Sequence, residues 1–532
     1  MSGVSNVSMS DVQGELEWRR LDPRMLLIGP LHDLLRFAIP LALLFLGRGA
    51  AGDHWPTLIA AAVVVAFGMS RWFTTRYRIS ASQVEFRTGL LRRRSITVPL
   101  DRIRTVDVSA RALHRLLGVA TVSMGTGRRD RAKKDELHLA AVSIAEATKL
   151  RSELLHRRDV IVAAESGTGA IGSIDGGGQF VAAAADAPPI VRPVQTIVHL
   201  DPSWVRYAPF TTSGLFTLLA VIGFSTQYIS EYHVDPSRIG PVHAATQDLS
   251  RLPRPLLAGS VLVGVLVVVA VLSTAGYLLA FWGFTLERHP EGFLQIQRGL
   301  LTRRLVSIEE RRLRGVEVSE PILLRSVRGA RTIAIATGLR VGRGSDRGGE
   351  LLLPPAPRSQ AHRVAAAVLR VGDPTTLPLI EHGRRARTRR YTRSIGVSLS
   401  LVAGLLLLNL WGALPSWPWL TALVLIPVAA LLARDRYRNL GHTMTELYLV
   451  SRVGSLARRT SALQRTGIIG WRIRESFFQR RVGLVTLMAT TAGGRGRYSV
   501  PDIEIGEAVQ LASAATPGLL VPFLAEAPAA VR

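Results

Sequence analysis

GLLRRRSITVPLDRIRTVDVS, residues 89–109, decides the reading of this chain because it returns further along. GLLTRRLVSIEERRLRGVEVS occupies 299–319, with the glycine, the Leu-Leu pair, two arginines and the closing V-(D/E)-V-S all in step. A weaker third copy, GSLARRTSALQRTGIIGWRIR at 454–474, keeps Gly454, Leu456, Arg458 and Arg459 but places Gly467-Ile-Ile-Gly470 where copy one has its D-R-I-R-T run. A second block repeats downstream: GVATVSMGTG (118–127), GARTIAIATG (329–338) and GLVTLMATTA (483–492). Each copy closes with a short apolar strand (136–142, 350–356, 497–503) that runs into an Ala-rich stretch of helical spacing. Repetition of this kind means that one structural unit is built three times.

The period inside a copy is two. Ile96, Val98 and Leu100 alternate with Thr97 and Pro99. Strands are expected over 77–86, 95–108, 120–125 and 136–142, with a closing helix over 146–155. Gly89 and Gly299 each end one strand before a Leu-Leu pair, so a positive φ is expected at both. Several short antiparallel strands with one C-terminal helix describe a small split barrel capped by that helix.

Uncharged apolar blocks alternate with these copies. They lie at 37–47, 55–69, 207–230, 255–286 and 394–433, the last broken by Leu-Pro-Ser-Trp-Pro at 414–418. Six spans in three hairpins follow, the first pair being short against the ~20 apolar residues that a bilayer core requires. LDP at 21–23 and at 200–202 precedes the first two hairpins, so the repeated unit is a hairpin plus a β-module. The segments 70–206, 287–393 and 434–532 are rich in arginine, which places both termini and all three modules in the cytoplasm. The expected layout has a cytoplasmic segment 1–30, hairpin one at 31–70 and module one at 71–158. A Gly/Ala/Pro linker covers 159–198. Hairpin two spans 199–283, with an external loop at 231–254, and module two spans 284–372. A basic linker (373–393), hairpin three (394–433), module three (434–516) and a tail (517–532) complete the chain.

The chain resembles the bacterial pleckstrin-homology-like (PH-like) domain family in its large, multi-copy membrane form. What carries the likeness is a membrane hairpin followed by a Tyr- or Trp-led strand, G-L-L-x-R-R, I-x-R-I/L-x-x-V-x-V and a G-x-A-T-V-like strand. The resemblance implies a fold of α-helical membrane hairpins plus all-β PH-like split barrels, each capped by a C-terminal helix, in three repeated units. It implies no defined substrate. It also suggests a smaller membrane protein with one PH-like domain as a partner.

Composition narrows the chemistry. The 532 residues are 48% hydrophobic with a formal net charge of +27, so apolar and basic residues sit in separate blocks, as membrane proteins arrange them. There is no cysteine, which excludes disulfides, thiolate metal sites and cysteine nucleophiles. Gly167-Thr-Gly-Ala-Ile-Gly172 matches G-x-G-x-x-G, but more glycines follow instead of a helix, so it reads as linker. The histidines are scattered singly and no metal spacing is present. No cofactor and no catalytic group is expected. Nucleic acid is excluded as a partner, because aromatic residues make up 6% of the chain and are not interleaved with the basic ones.

The arginines after the glycine turn remain: Arg92, Arg93, Arg94, Arg303, Arg304, Arg458 and Arg459. By analogy with the basic early hairpin of eukaryotic PH domains, they are candidate contacts for anionic lipid headgroups. The basic run 384–390 lies just before a span and reads as a topology anchor. The expected function is that of a non-catalytic membrane scaffold presenting three modules to proteins or anionic lipid. The alternative is a transporter or small-molecule-handling protein with a site between its helices. That alternative asks for ionisable residues inside the spans, where the last hairpin offers only Asn409.

Overall fold

Side chains that alternate along each copy resolve into two trios of antiparallel strands per copy, and the third copy shows why. In its strand Leu484–Thr490, Leu484, Val485, Leu487 and Ala489 are buried while Thr486, Met488 and Thr490 are half-exposed, the period of a strand with one face inward. The computed structural model describes residues 18–24, 55–80, 83–88, 94–99, 105–125, 137–143, 193–211, 253–337 and 351–520, with a few single positions between.

Copy one contains β1 (Arg19–Arg20), α1 (Trp55–Thr74), β2 (Arg76–Ile79), β3 (Gln83–Thr88), β4 (Arg94–Pro99), β5 (Thr105–Arg111), α2 (Ala112–Leu116), β6 (Val119–Gly125) and β7 (Leu137–Ser143). Copy two contains β8 (Gln195–His199), a 3-10 helix (Pro202–Phe210), α3 (Arg254–Phe281), β9 (Thr285–His289), β10 (Phe293–Arg298), β11 (Thr302–Glu309), β12 (Leu313–Pro321), α4 (Ile322–Ser326), β13 (Gly329–Ala336), β14 (Leu351–Pro357) and α5 (Arg358–Leu369). Copy three contains α6 (Arg384–Leu410), α7 (Trp417–Ala422), α8 (Leu425–Arg438), β15 (Gly441–Met444), β16 (Tyr448–Val453), β17 (Ala457–Gln464), β18 (Gly470–Arg474), α9 (Phe477–Arg480), β19 (Leu484–Thr490), β20 (Arg497–Glu504) and α10 (Ile505–Ala515).

Two expectations need correcting. The single strand expected over 77–86 is a hairpin, β2 and β3, because the Ser80 N–H and hydroxyl both donate to the Gln83 carbonyl at 2.9 Å and close a turn. The strand expected over 95–108 is likewise two, β4 and β5. The closing helix at 146–155, the turn at Gly89 and the blocks at 37–47 and 212–230 lie largely or wholly outside the described residues. The segment 202–210 is a 3-10 helix with Trp204, Tyr207 and Ala208 buried, so the apolar block starting at 207 begins with residues packed inside the protein.

The chain divides into two compact units, 1–195 with 287–309 and 196–286 with 310–532. The division passes through copy two. In the first unit β1-β2-β3-β4 form one sheet, and a second runs β7-β6-β5-β11-β10. The N-terminal segment is strapped to the same unit: Trp72 Nε1 donates to the Leu21 carbonyl at 2.9 Å and Arg24 Nη1 to the Leu117 carbonyl at 2.6 Å.

In the second unit a six-stranded sheet runs β14-β13-β12-β17-β16-β15, and β18-β19-β20 form a three-stranded one. Leu449 and Leu463 from the first face Val485, Leu487, Val500 and Ile503 from the second, and α10 closes the core with Ala508, Leu511, Ala512 and Ala515. That is a split barrel capped by its C-terminal helix. In α5 the buried residues Ala361, Val364, Ala365 and Val368 follow the i, i+3, i+4, i+7 stripe that seats a helix on a sheet.

Both units contain the same joint. In the first, β11 pairs antiparallel with β5, with Thr302 opposite Arg111, Arg303 opposite Ala110, Arg304 opposite Ser109 and Leu305 opposite Val108. In the second, β17 pairs with β12, with Ala457 opposite Pro321, Arg458 opposite Glu320, Arg459 opposite Ser319 and Thr460 opposite Val318. Aligned on the repeat, the register is identical. The strand after one copy's glycine turn completes the sheet edge of the copy before it.

The turn that starts this strand needs glycine. Gly299 has φ +106° and Gly454 has φ +107°, as expected for the first, and a Cβ on either would lie 2.1 Å from the carbonyl oxygen of the residue three further on, Thr302 or Ala457. Replacing either by Ala should therefore cost about 1–3 kcal/mol. Thermal unfolding of the detergent-solubilised variants reads this as a lowered midpoint, against an unchanged one for Gly404→Ala, where an added Cβ meets open space.

Candidate functional site

Side chains at the second joint are matched in charge as well as register. Glu317 and Glu320 are buried on β12, where an unpaired carboxylate would be costly to hold. Arg458 clasps Glu320 through Nε and Nη2, and Arg358 Nε approaches the same carboxylate at 3.2 Å. Glu317 receives Arg495 Nη2 at 2.8 Å, with Arg459 Nε at 3.8 Å. Burial pushes the Glu317 carboxyl above its ordinary range, against the opposing pull of Arg495, Arg459 and Arg331.

The arginines singled out from sequence are thus differently placed. Arg458 and Arg459 meet acids of the preceding copy. Arg303 and Arg304 are exposed on β11. Arg94 is the first residue of β4, opposite Thr88, while Arg92 and Arg93 lie outside the described residues. Sequence reasoning missed the partners. The signal was the acid inside the apolar V-(D/E)-V-S strand, a residue type that is rarely buried unless paired.

A second polar cluster sits at the root of α6. Asp502 is the extra residue where the β19–β20 register shifts, and it adopts φ +60°. The bulge frees its fully buried carboxylate from the strand alternation. Arg389 Nη1 and Arg390 Nε, the latter at 2.6 Å, pair with it, and Gln479 Nε2 donates to Oδ1 at 2.9 Å. Arg389 Nη2 also reaches Ser476 Oγ at 3.4 Å. Two residues of the run 384–390 are therefore consumed by module three.

Beside this cluster lie two buried histidines that look unrelated in sequence. His382 Nδ1 is 3.0 Å from the Asp502 carbonyl, and its Nε2 is 3.1 Å from His442 Nδ1. A carbonyl can only accept, so His382 donates from Nδ1 and takes the His442 Nδ1 proton at Nε2. His442 Nε2 then faces Glu507 at 3.6 Å. Burial lowers the affinity of both rings for a proton, taking His442 down to about 4, with His382 adding to the effect.

The helices long and apolar enough to cross a membrane are, among the described residues, Pro255–Phe281, Arg384–Leu410 and Trp417–Arg438. Each is bonded to a β-module near its polar end. Tyr277 Oη donates to the Pro355 carbonyl at 2.9 Å, and Tyr277 and Phe281 pack with Leu351 and Ala208. Tyr437 Oη donates to the His382 carbonyl at 2.7 Å, and Arg325 Nη2 meets Asp435 at 2.9 Å. Among the described residues, no group of three or more His, Asp or Glu side chains is arranged to hold a metal ion.

Apolar helices rooted in PH-like β-modules define a membrane protein that carries its modules at the ends of its helices. The chain belongs to the bacterial PH domain family, whose model matches residues 34–158, 217–371 and 397–516. Among curated proteins it is similar to the UPF0699 transmembrane protein YdbT of Bacillus subtilis (strain 168), 21% identical over 473 residues that cover 87% of each chain. No solved structure matches.

Two outcomes follow from these contacts. Glu320→Gln leaves the half-buried Arg458 without its counter-charge and should cost about 2–4 kcal/mol, whereas Arg303→Ala on the exposed strand should cost at most about 1 kcal/mol; denaturant titration of the solubilised protein separates them. For the histidines, the folded-state proton affinity lies below the unfolded one, so the unfolded chain binds more protons as the pH drops. The contribution of His442 is complete above about 6.5 and is lost as pH falls toward about 4, and that of His382 runs in the same direction. His442→Gln should flatten the unfolding midpoint across that window.

Proposed function

We propose that this chain is a non-catalytic scaffold of the bacterial cell membrane, presenting three PH-like modules to proteins and to anionic lipid headgroups. The observation that carries this reading is the repeated joint. Strand pairing between copies spends the strand after the G-L-L-x-R-R turn on architecture, as a platform requires and a catalytic cleft does not. The relative named as a transmembrane protein and the family of PH domains support a non-enzymatic role. In this reading the protein is multi-pass, with six spans and with both termini and the modules in the cytoplasm.

Lipid contact falls to the exposed arginines Arg303 and Arg304, with Arg92, Arg93 and Arg94 at the corresponding place in copy one. Arg458 and Arg459 have part of their charge engaged by Glu320 and Glu317. Each exposed cation close to an anionic leaflet adds about 1 kcal/mol of attraction. A smaller membrane protein with one PH-like domain is the protein partner this reading favours.

Reporter fusions at residues 160 and 240 test the topology, with 160 expected inside and 240 outside; a cytoplasmic signal at 240 overturns it. Titrating phosphatidylglycerol into the solubilised full chain tests the lipid half. Binding should be weak and should fall steeply as salt approaches physiological strength, where the Debye length is ~8 Å. The Arg303→Ala variant should bind less while unfolding at nearly the same midpoint. No binding at low salt would remove lipid from the proposal and leave protein contact.

A further inference from the structure

Among the described residues, α9 carries one of the most exposed aromatic pairs of the second unit. Phe477 and Phe478 are 61% and 71% exposed, their rings edge-on at 5.6 Å, and Arg480 and Arg481 follow after Gln479. Two adjacent phenylalanines bare to water forgo the burial that apolar side chains of this size gain elsewhere in the fold. Something apolar is expected to cover them, and the position of α9 says what.

The short helix is held rigidly. Ser476 and Gln479 form a reciprocal capping box at its start. Gln479 then bonds Asp502, and Ser476 takes Arg389 of α6, so α9 is clamped to α6 at the level of residue 389. The last charge of α6 is Arg393 and the uncharged stretch opens at Ser394. Five residues of helix rise about 7–8 Å. The polar headgroup layer on each side of a bilayer is roughly 5–8 Å deep. A phenylalanine based at the level of 389 therefore reaches the headgroup layer that α6 itself must cross.

We propose that Phe477 and Phe478 insert into the lipid headgroup region beside α6, with Arg481 on an anionic phosphate. The chemistry suits that place. Aromatic rings concentrate at the membrane–water boundary, and Arg481 already stacks its guanidinium 4.6 Å above the Phe477 ring, an arrangement that keeps its charge free for a phosphate. Copy two repeats the device independently. There α4, between the same two strands, exposes Ile322 and Leu323 and is tied by Arg325 to Asp435, two residues past the apolar end of α8. In both copies the short helix between the first two strands of the copy's second strand trio sits at the root of a membrane helix and turns apolar side chains outward.

This inference rests on the reading of α6 as a span, and the test separates the two. The chain has no cysteine, so single-cysteine variants of the full protein take one nitroxide label each. The proteins are reconstituted in vesicles of phosphatidylethanolamine and phosphatidylglycerol, and the label's collisions with oxygen and with a water-soluble nickel chelate give its depth. Leu401→Cys, on the exposed face of α6, must report the hydrocarbon core; an aqueous signal there overturns the span and the anchor together. Leu447→Cys, exposed in the β15–β16 turn, serves as the aqueous reference. With α6 buried as expected, the label at Phe478→Cys should be at least several-fold less accessible to nickel than that at Leu447→Cys. Equal accessibility at the two positions overturns the anchor while leaving the span intact. So does a label shielded in native membranes but aqueous in pure lipid, because that assigns the pair to a protein partner.

Discussion

A strand at the edge of a sheet leaves a row of backbone N–H and C=O groups unpaired, a standing invitation to aggregation. In this protein that constraint is met by sequence neighbours. The strand after the glycine turn of copy two closes the edge of copy one, and the strand after the glycine turn of copy three closes the edge of copy two, in one register. The glycine is required because the turn must bring its backbone against the carbonyl three residues on. The acid of V-(D/E)-V-S, Glu317 in copy two, is explained by Arg495 and Arg459, which copy three brings to it across the second joint.

The membrane enters the same design through the roots of its helices. Arg389 and Arg390 hold Asp502, Tyr437 holds the loop carrying His382, and Tyr277 holds β14. Each contact fastens a helix root to the folded domain through groups that are half-buried or buried, so movement of the root would break a charge pair or strand a polar group. Such roots transmit position, which suits a platform whose value lies in where it holds its modules.

Much of this was written in the sequence. Period-two alternation and the glycine turn gave the strands and the positive φ at Gly299, and the uncharged blocks at 255–286 and 394–433 gave the apolar helices, although α6 starts ten residues earlier, in the basic run. The joints were not legible, because pairing between copies is non-local and a repeat read one copy at a time suggests that each copy closes on itself. The same blindness applied to charge. Arg458, Arg459, Arg389 and Arg390 look like solvated cations until Glu320, Glu317 and Asp502 are brought to them from far along the chain. His382 and His442 were passed over as singletons for the same reason. The hairpin in 77–86 was missed because Ser80 and Ser82 kept an alternating pattern through a turn.

Cysteine pairs across the joints test the central account most directly. Residues opposite one another in antiparallel strands lie about 4.5–5.5 Å apart at Cα, within the range a disulfide spans. In the cysteine-free chain, Arg303→Cys with Ala110→Cys and Arg458→Cys with Glu320→Cys occupy the same repeat positions in the two joints. Mild oxidation should close both within a single chain, and moving one cysteine of each pair two residues along its strand should abolish closure. Failure to close within one chain, or closure only between chains, would contradict the edge-to-edge fusion of the copies.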